Sequence, residues 1–249
     1  MKKLITLCCC LFLFVYGQSQ NATTQPSTQP STQVKNATSQ SGGKTADATK
    51  VKKDEYPGVK HLAIGNKLPM SDVKMQDISD KMMSLDEIAD ENGLLIVFSC
   101  NTCPFVIAYE DRYPSMQEYA EKNNIGFAIL NPNERKRQAD NMEDSFENMK
   151  SHAKEVGYNC PYLIDKDHKL ADEIGAFRTP DVFLFNANKE LVYKGAIDDN
   201  WKNKDEVNNQ YLTDAIDKML KGEKIANPEV KGRGCSIKRL RNKNDGKIM

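Results

Sequence analysis

Three short apolar regions, at residues 94–98, 125–130 and 182–185 with 191–193 close behind, alternate with stretches whose apolar residues recur at helical spacing. No other feature constrains the fold as much, because a period near two marks strands and a period near 3.6 marks helices. Phe105, Ala108, Tyr109, Arg112, Met116, Tyr119 and Ala120 follow Pro104 in one helical set. Phe146, Met149, Ala153 and Val156 form a second, and Leu212, Ala215, Ile216, Met219 and Leu220 a third that Gly222 should stop. Strands interleaved with helices imply an α/β layer fold, with a mixed central sheet and helices on both faces. Residues 186–190, between two strand runs, read as a hairpin turn.

That pattern occupies only part of the 249 residues. The chain begins Met1-Lys2-Lys3, continues with an apolar run over residues 4–16 and passes into small and polar residues, the order of a secretory signal. The run is shorter than the roughly 20 apolar residues a bilayer span needs, so the mature chain is expected to have no transmembrane segment. Leu7 stands before Cys8 where a lipoprotein signal wants a small residue, which argues against a lipid anchor. Residues 18–53 contain no Leu, Ile, Phe, Met or Trp and repeat Thr-Gln-Pro-Ser, so burial cannot offset their ordering entropy. The expected organisation is a signal over 1–19, a disordered linker over 20–57, one domain over 58–226 and a basic tail over 227–249. The expected location is secreted or periplasmic. With 35 Lys+Arg against 35 Asp+Glu, bulk charge gives no case for a nucleic-acid partner.

Four cysteines remain beyond the signal: Cys100, Cys103, Cys160 and Cys235. Phe98-Ser99-Cys100-Asn101-Thr102-Cys103-Pro104 puts one thiol at the carboxyl end of an apolar strand and the next at the start of a helix. Unpaired N–H groups and the helix dipole favour a thiolate there, and the two-residue gap lets the second thiol resolve a mixed disulfide on Cys100. Zinc would require a second cysteine pair or closely spaced histidines, whereas His61, His152 and His168 are scattered, so no metal and no other cofactor is expected. A merely structural disulfide has the same spacing, but strand-to-helix placement favours redox chemistry.

The sequence resembles the thioredoxin-like superfamily, and within it the secreted redoxins of the alkyl hydroperoxide reductase/thiol-specific antioxidant (AhpC/TSA) group. The motifs that carry the resemblance span much of the chain. They are Cys100-Asn101-Thr102-Cys103-Pro104-Phe105-Val106, Asp144-Ser145-Phe146-Glu147-Asn148-Met149-Lys150, Pro161-Tyr162-Leu163-Ile164-Asp165, Gly175-Ala176-Phe177-Arg178-Thr179-Pro180-Asp181, Leu191-Val192-Tyr193-Lys194-Gly195-Ala196-Ile197-Asp198-Asp199 and Gly234-Cys235-Ser236-Ile237-Lys238. The resemblance implies a thioredoxin-like fold with Cys100 attacking and Cys103 resolving. It also implies a cis peptide before Pro180, exposing backbone groups that pair with an extended substrate, with Thr179 tuning the potential. Departures exist: Ser99 stands where thioredoxin has Trp, Leu94 replaces its buried carboxylate, and the Pro-x-x-x-Thr-x-x-Cys of peroxiredoxins is absent.

The expected activity is therefore exchange of electrons with protein disulfides through Cys100 and Cys103, with a membrane or periplasmic electron donor as a further partner. A thiol peroxidase, and a binding module with a permanently closed disulfide, are the alternatives. Cys160 and Cys235 are expected to form a disulfide, with a third redox thiol relaying to the pair as the other reading; basic residues around Cys235 should favour its thiolate. Asp198-Asp199 reads as a solvated turn or as the acidic edge of the site.

Overall fold

The computed structural model describes residues 59–139 and 141–240. The expected signal, the expected linker and the end of the expected tail lie outside the described residues. In chain order, β1 (Met75–Gln76) and β2 (Met82–Met83) form a short ribbon before α1 (Leu85–Ile88) and the central strand β3 (Gly93–Phe98). There follow α2 (Pro104–Tyr109), α3 (Tyr113–Lys122), β4 (Ile125–Asn131), α4 (Glu134–Arg137), α5 (Phe146–Val156), β5 (Tyr162–Ile164) and α6 (Lys169–Ile174). The chain continues through β6 (Arg178–Thr179), β7 (Asp181–Asn186), β8 (Leu191–Gly195), α7 (Tyr211–Leu220), β9 (Glu229–Val230) and β10 (Cys235–Ser236).

The sheet is mixed. β3 pairs antiparallel with β7, β7 antiparallel with β8, and β8 parallel with β9. On the other side β4 pairs parallel with β5, and the Ser99 N–H just past β3 donates to the Leu130 carbonyl of β4 at 2.8 Å. Strand residues alternate between two apolar layers, as the two-residue period requires. Leu95, Val97, Val182 and Leu184 face a core closed by α3, α5 and α7, whereas Leu94, Ile96, Phe98, Phe183 and Phe185 face one closed by α1 and α6. Both faces are thus covered by helices, and the fold is thioredoxin-like.

Two features differ from the sequence expectation. The helix after Pro104 is broken: α2 ends at Tyr109, a 3-10 turn covers Glu110–Arg112, and α3 restarts with Pro114 in its first turn. Proline is tolerated there because the first-turn N–H groups have no intrahelical acceptor, and it would disrupt a continuous helix. The described part of the expected tail is built into the fold. β9 extends the sheet, β10 pairs antiparallel with β6, Ile237 is buried against the α1/α6 core, and the Arg239 Nε–H donates to Asp172 at 2.7 Å.

Candidate active site

Strand β3 stops at Phe98, and the chain crosses Ser99–Thr102 before α2 begins, so the residue that caps this helix is Cys103, with Pro104 as its first helical residue. Cys100 lies in the crossing, three residues earlier. Both are buried, at 2% and 4% exposure, and they form with Val106 a small cluster against which Phe105 and Cys235 pack. The Thr179-Pro180 bond is cis, as the resemblance implies. Thr179 meets both thiols: its Oγ1 lies 3.2 Å from Cys100 Sγ, and its carbonyl oxygen lies 3.2 Å from Cys103 Sγ, accepting from it when that thiol is protonated.

These surroundings drive the two thiols apart in acidity. Cys103 falls from the usual thiol range to about 5, held as thiolate first by the S–H of Cys100, then by the S–H of Cys235 and by the backbone N–H groups of Val106 and Cys235, against the opposing effect of burial. Cys100 is pushed well up, first because its own proton is held by Cys103, then by burial and by the negative charge of Asp144. The sequence reading assigned attack to Cys100; these surroundings favour the thiolate at Cys103, at the helix start, and disfavour it at Cys100. The element boundaries are those the sequence implies; what separates the thiols is the burial of Cys100 near Asp144 and the donors gathered around Cys103 from α2 and β10.

A buried polar network that sequence reasoning did not single out supports this loop. Asp144, fully buried, accepts from the Asn101 N–H (2.9 Å), from Asn131 Nδ2 (2.9 Å) and from Asn133 Nδ2 (3.2 Å). The Tyr162 hydroxyl donates to Asn101 Oδ1 at 2.9 Å and accepts from Asn131 Nδ2 at 3.0 Å, while Ser99 Oγ and the Tyr113 hydroxyl lie 3.3 Å apart. Asp144 and Tyr162 stand inside two of the quoted motifs. The sequence signal was Asn131-Pro132-Asn133, in which Asn131 closes the otherwise apolar strand β4.

The remaining candidates separate from the thiols. Cys160 and Cys235 are both unpaired, Cys160 against the layer under α3, α5 and α7 and Cys235 beside Cys103, so the disulfide expected between them is not formed. Burial pushes Cys160 up to about 12. Cys235 rises to about 11, from burial first and then from its proton shared with Cys103, which outweighs the lowering by Lys238 that the basic surroundings led one to expect. The Asp198-Asp199 pair divides: Asp199 is exposed, as a solvated turn requires, whereas Asp198 is buried, accepts from the Tyr109 hydroxyl at 3.0 Å and pairs with Arg112. Trp201 packs on Phe105, ring centroids 4.7 Å apart. Among the described residues, no three His, Cys, Asp or Glu side chains are arranged to hold a metal ion, and no helix is long and apolar enough to cross a membrane.

Residues 64–194, just over half of the chain, match the AhpC/TSA family. No curated protein matches. Among solved structures, a hypothetical protein of Sinorhizobium meliloti is similar, with 29% identity, a TM-score of 0.66 and coverage of 74% of this chain and 98% of that one. An uncharacterized conserved protein of Geobacillus kaustophilus is similar too, at 28% identity and TM-score 0.66, covering 73% of this chain and 94% of that one.

Proposed function

The chain belongs to the AhpC/TSA family, and from that premise we propose that it is a thiol-disulfide oxidoreductase acting on protein disulfides, with Cys103 as nucleophile and Cys100 as resolving thiol. The observation that carries this reading is the placement of Cys103 as the cap of α2, with its thiolate held near a pKa of about 5 and Cys100 aimed at it as donor. The Cys103 thiolate attacks one sulfur of a substrate disulfide; that S–S bond breaks, and the leaving sulfur takes a proton. A mixed disulfide on Cys103 results.

This first step prepares the second. The largest influence holding the proton on Cys100 is the negative sulfur of Cys103, and that charge vanishes when the mixed disulfide forms. Cys100 then ionises more readily, with Thr179 Oγ1 at 3.2 Å able to donate to its thiolate. Attack of Cys100 on the Cys103 sulfur releases the second substrate thiol, which takes the proton, and closes the Cys100–Cys103 disulfide. Two electrons have passed to the substrate, and an external dithiol, such as a membrane or periplasmic donor, restores the pair. The signal-like start of the chain supports a setting outside the cytosol, where protein disulfides persist.

Trapping with a disulfide-containing protein tests the reading. Cys103→Ser should abolish turnover, and Cys100→Ser/Cys235→Ser, which lacks both thiols packed against Cys103, should accumulate mixed disulfides on Cys103, read by non-reducing electrophoresis and peptide mass mapping. Adducts that collect on Cys100 in the Cys103→Ser protein would reverse the roles, and full turnover without Cys103 would end the proposal.

A further inference from the structure

Strand β10 lies on the edge of β6, with Cys235 directly opposite Thr179 in the antiparallel register. Thr179 is the residue whose carbonyl and hydroxyl meet Cys103 and Cys100. The edge on which an extended substrate was expected to pair is therefore occupied by the chain's own segment, and that segment carries a thiol packed beside Cys103. We propose that Cys235 is a third redox thiol, a second resolving residue that competes with Cys100 for the sulfur of Cys103.

The placement is built rather than incidental. A Cβ on Gly234 would stand 2.6 Å from the Thr179 carbonyl oxygen, so only glycine lets the chain come this close just before Cys235. On the other side, the Ile237 N–H donates to the Phe177 carbonyl at 3.0 Å, the Lys238 N–H to Asn133 Oδ1 at 2.8 Å, and the Arg239 guanidinium to Asp172 and to the Ala176 carbonyl. Cys235 is thus anchored on both flanks while remaining partly exposed and unpaired. Its thiol packs against Cys103 and is one of the groups that hold Cys103 below the usual thiol range.

The chemistry rests on the reading of Cys103 as nucleophile. With substrate attached to Cys103, Cys235 loses its proton and attacks the Cys103 sulfur. The bond from Cys103 to the substrate breaks, the electron pair leaves on the substrate sulfur, which takes a proton, and a Cys103–Cys235 disulfide closes. From a closed Cys100–Cys103 disulfide, the same attack frees Cys100 as the thiol and moves the oxidised bond to the β10 side with no net change of electrons. Cys103 is then shared by two alternative disulfides.

The full chain carrying Cys100→Ser, reduced and then given oxidised glutathione, tests this with acid quenching, alkylation and peptide mass mapping. Glutathione should appear on Cys103 and then leave as a Cys103–Cys235 linked peptide accumulates. In Cys100→Ser/Cys235→Ser the adduct should persist at least about tenfold longer, because an attacking thiol held in contact acts at high effective concentration. Partly oxidised wild-type protein should yield both the Cys100–Cys103 and the Cys103–Cys235 linkages, which keeps the test independent of any variant. Adducts of equal lifetime in the single and double variants, or a linkage through Cys160, would overturn the role of Cys235. A double variant that takes up no glutathione on Cys103 would instead overturn the reading of Cys103 itself, and the inference with it.

Discussion

The thiolate of Cys103 depends on donors fixed by the fold, chiefly the Cys100 S–H, then the Cys235 S–H and two backbone N–H groups. Alkylation of Cys103 in the reduced protein should accordingly rise with pH through about 5 and be flat above neutrality, whereas an ordinary thiol rises near 8.5. Cys100→Ala removes the largest donor and should move the profile upward, cutting the rate at pH 6 by about tenfold; an unmoved profile would show that the helix start alone holds the charge. A second residue titrates for a different reason. Asp181, buried one residue after Pro180, is pushed up to about 7 by burial, against the lowering from Arg178 and from the Phe177 N–H. Its native pKa lies above the unfolded value, so the folded state binds more protons between about pH 4 and 7, and stability falls as pH rises through that window. Asp181→Asn should therefore gain roughly 2–4 kcal/mol on wild type between pH 4 and pH 8 in urea unfolding, since one pKa unit is about 1.4 kcal/mol; parallel curves would refute the assignment. At this scale the sequence placed Cys100 and Cys103 side by side, as the structure does, but did not disclose which one ionises more readily. That distinction rests on groups that meet only in three dimensions, Asp144 near Cys100 and Cys235 beside Cys103, which no hydrophobic period can place.

At the scale of elements, the long apolar strands were legible, because β3, β4 and β7 are buried on both faces and read as continuous apolar runs. The turn between β7 and β8 was legible too, with the Asn186 N–H donating to the Glu190 carbonyl at 3.0 Å, and α7 stops as Gly222 suggested. The two-residue strands were not, since β1, β2, β6, β9 and β10 are too short to show a period and exist through tertiary pairing. The same holds for the support beneath the active-site loop, which joins the end of β4, the start of α5 and the end of the β3 crossing only in three dimensions. Asp144 ties these together by accepting three hydrogen bonds from Asn101, Asn131 and Asn133. Asp144→Ala leaves those donors buried without an acceptor and should cost roughly 3–5 kcal/mol, read from the urea midpoint. Next to it, Ser145 Oγ accepts from the Asn148 N–H at the start of α5, and Ser145→Ala should cost only about 1 kcal/mol. Similar losses for the two variants would mean that the network adds nothing beyond the helix cap.

For the whole molecule, the decisive question is where the domain ends. A boundary at 226 follows from composition, because the residues beyond it are rich in Lys and Arg and their few large apolar side chains are scattered. One of these, Ile237, is buried in the layer with Leu94, Ile96 and Leu191 and fixes the path of the segment around it. One buried isoleucine in a basic stretch carries almost no periodic signal, yet it supplies the apolar contact while β10 pairing and the Arg239–Asp172 bridge supply the polar ones. Ile237→Ala should cost about 2–4 kcal/mol, the range for emptying a packed aliphatic site. Ending the chain after Val230 removes the same side chain together with the β10 hydrogen bonds to β6, and should cost more than the single substitution, by about 1–3 kcal/mol for polar groups left unpaired. Urea unfolding of both variants separates the contributions, and the unfolding slope should stay unchanged for Ile237→Ala if only stability has altered. Should the shortened chain prove as stable as the full one, the C-terminal segment is laid over a finished domain, and nothing in the fold would hold Cys235 against Cys103.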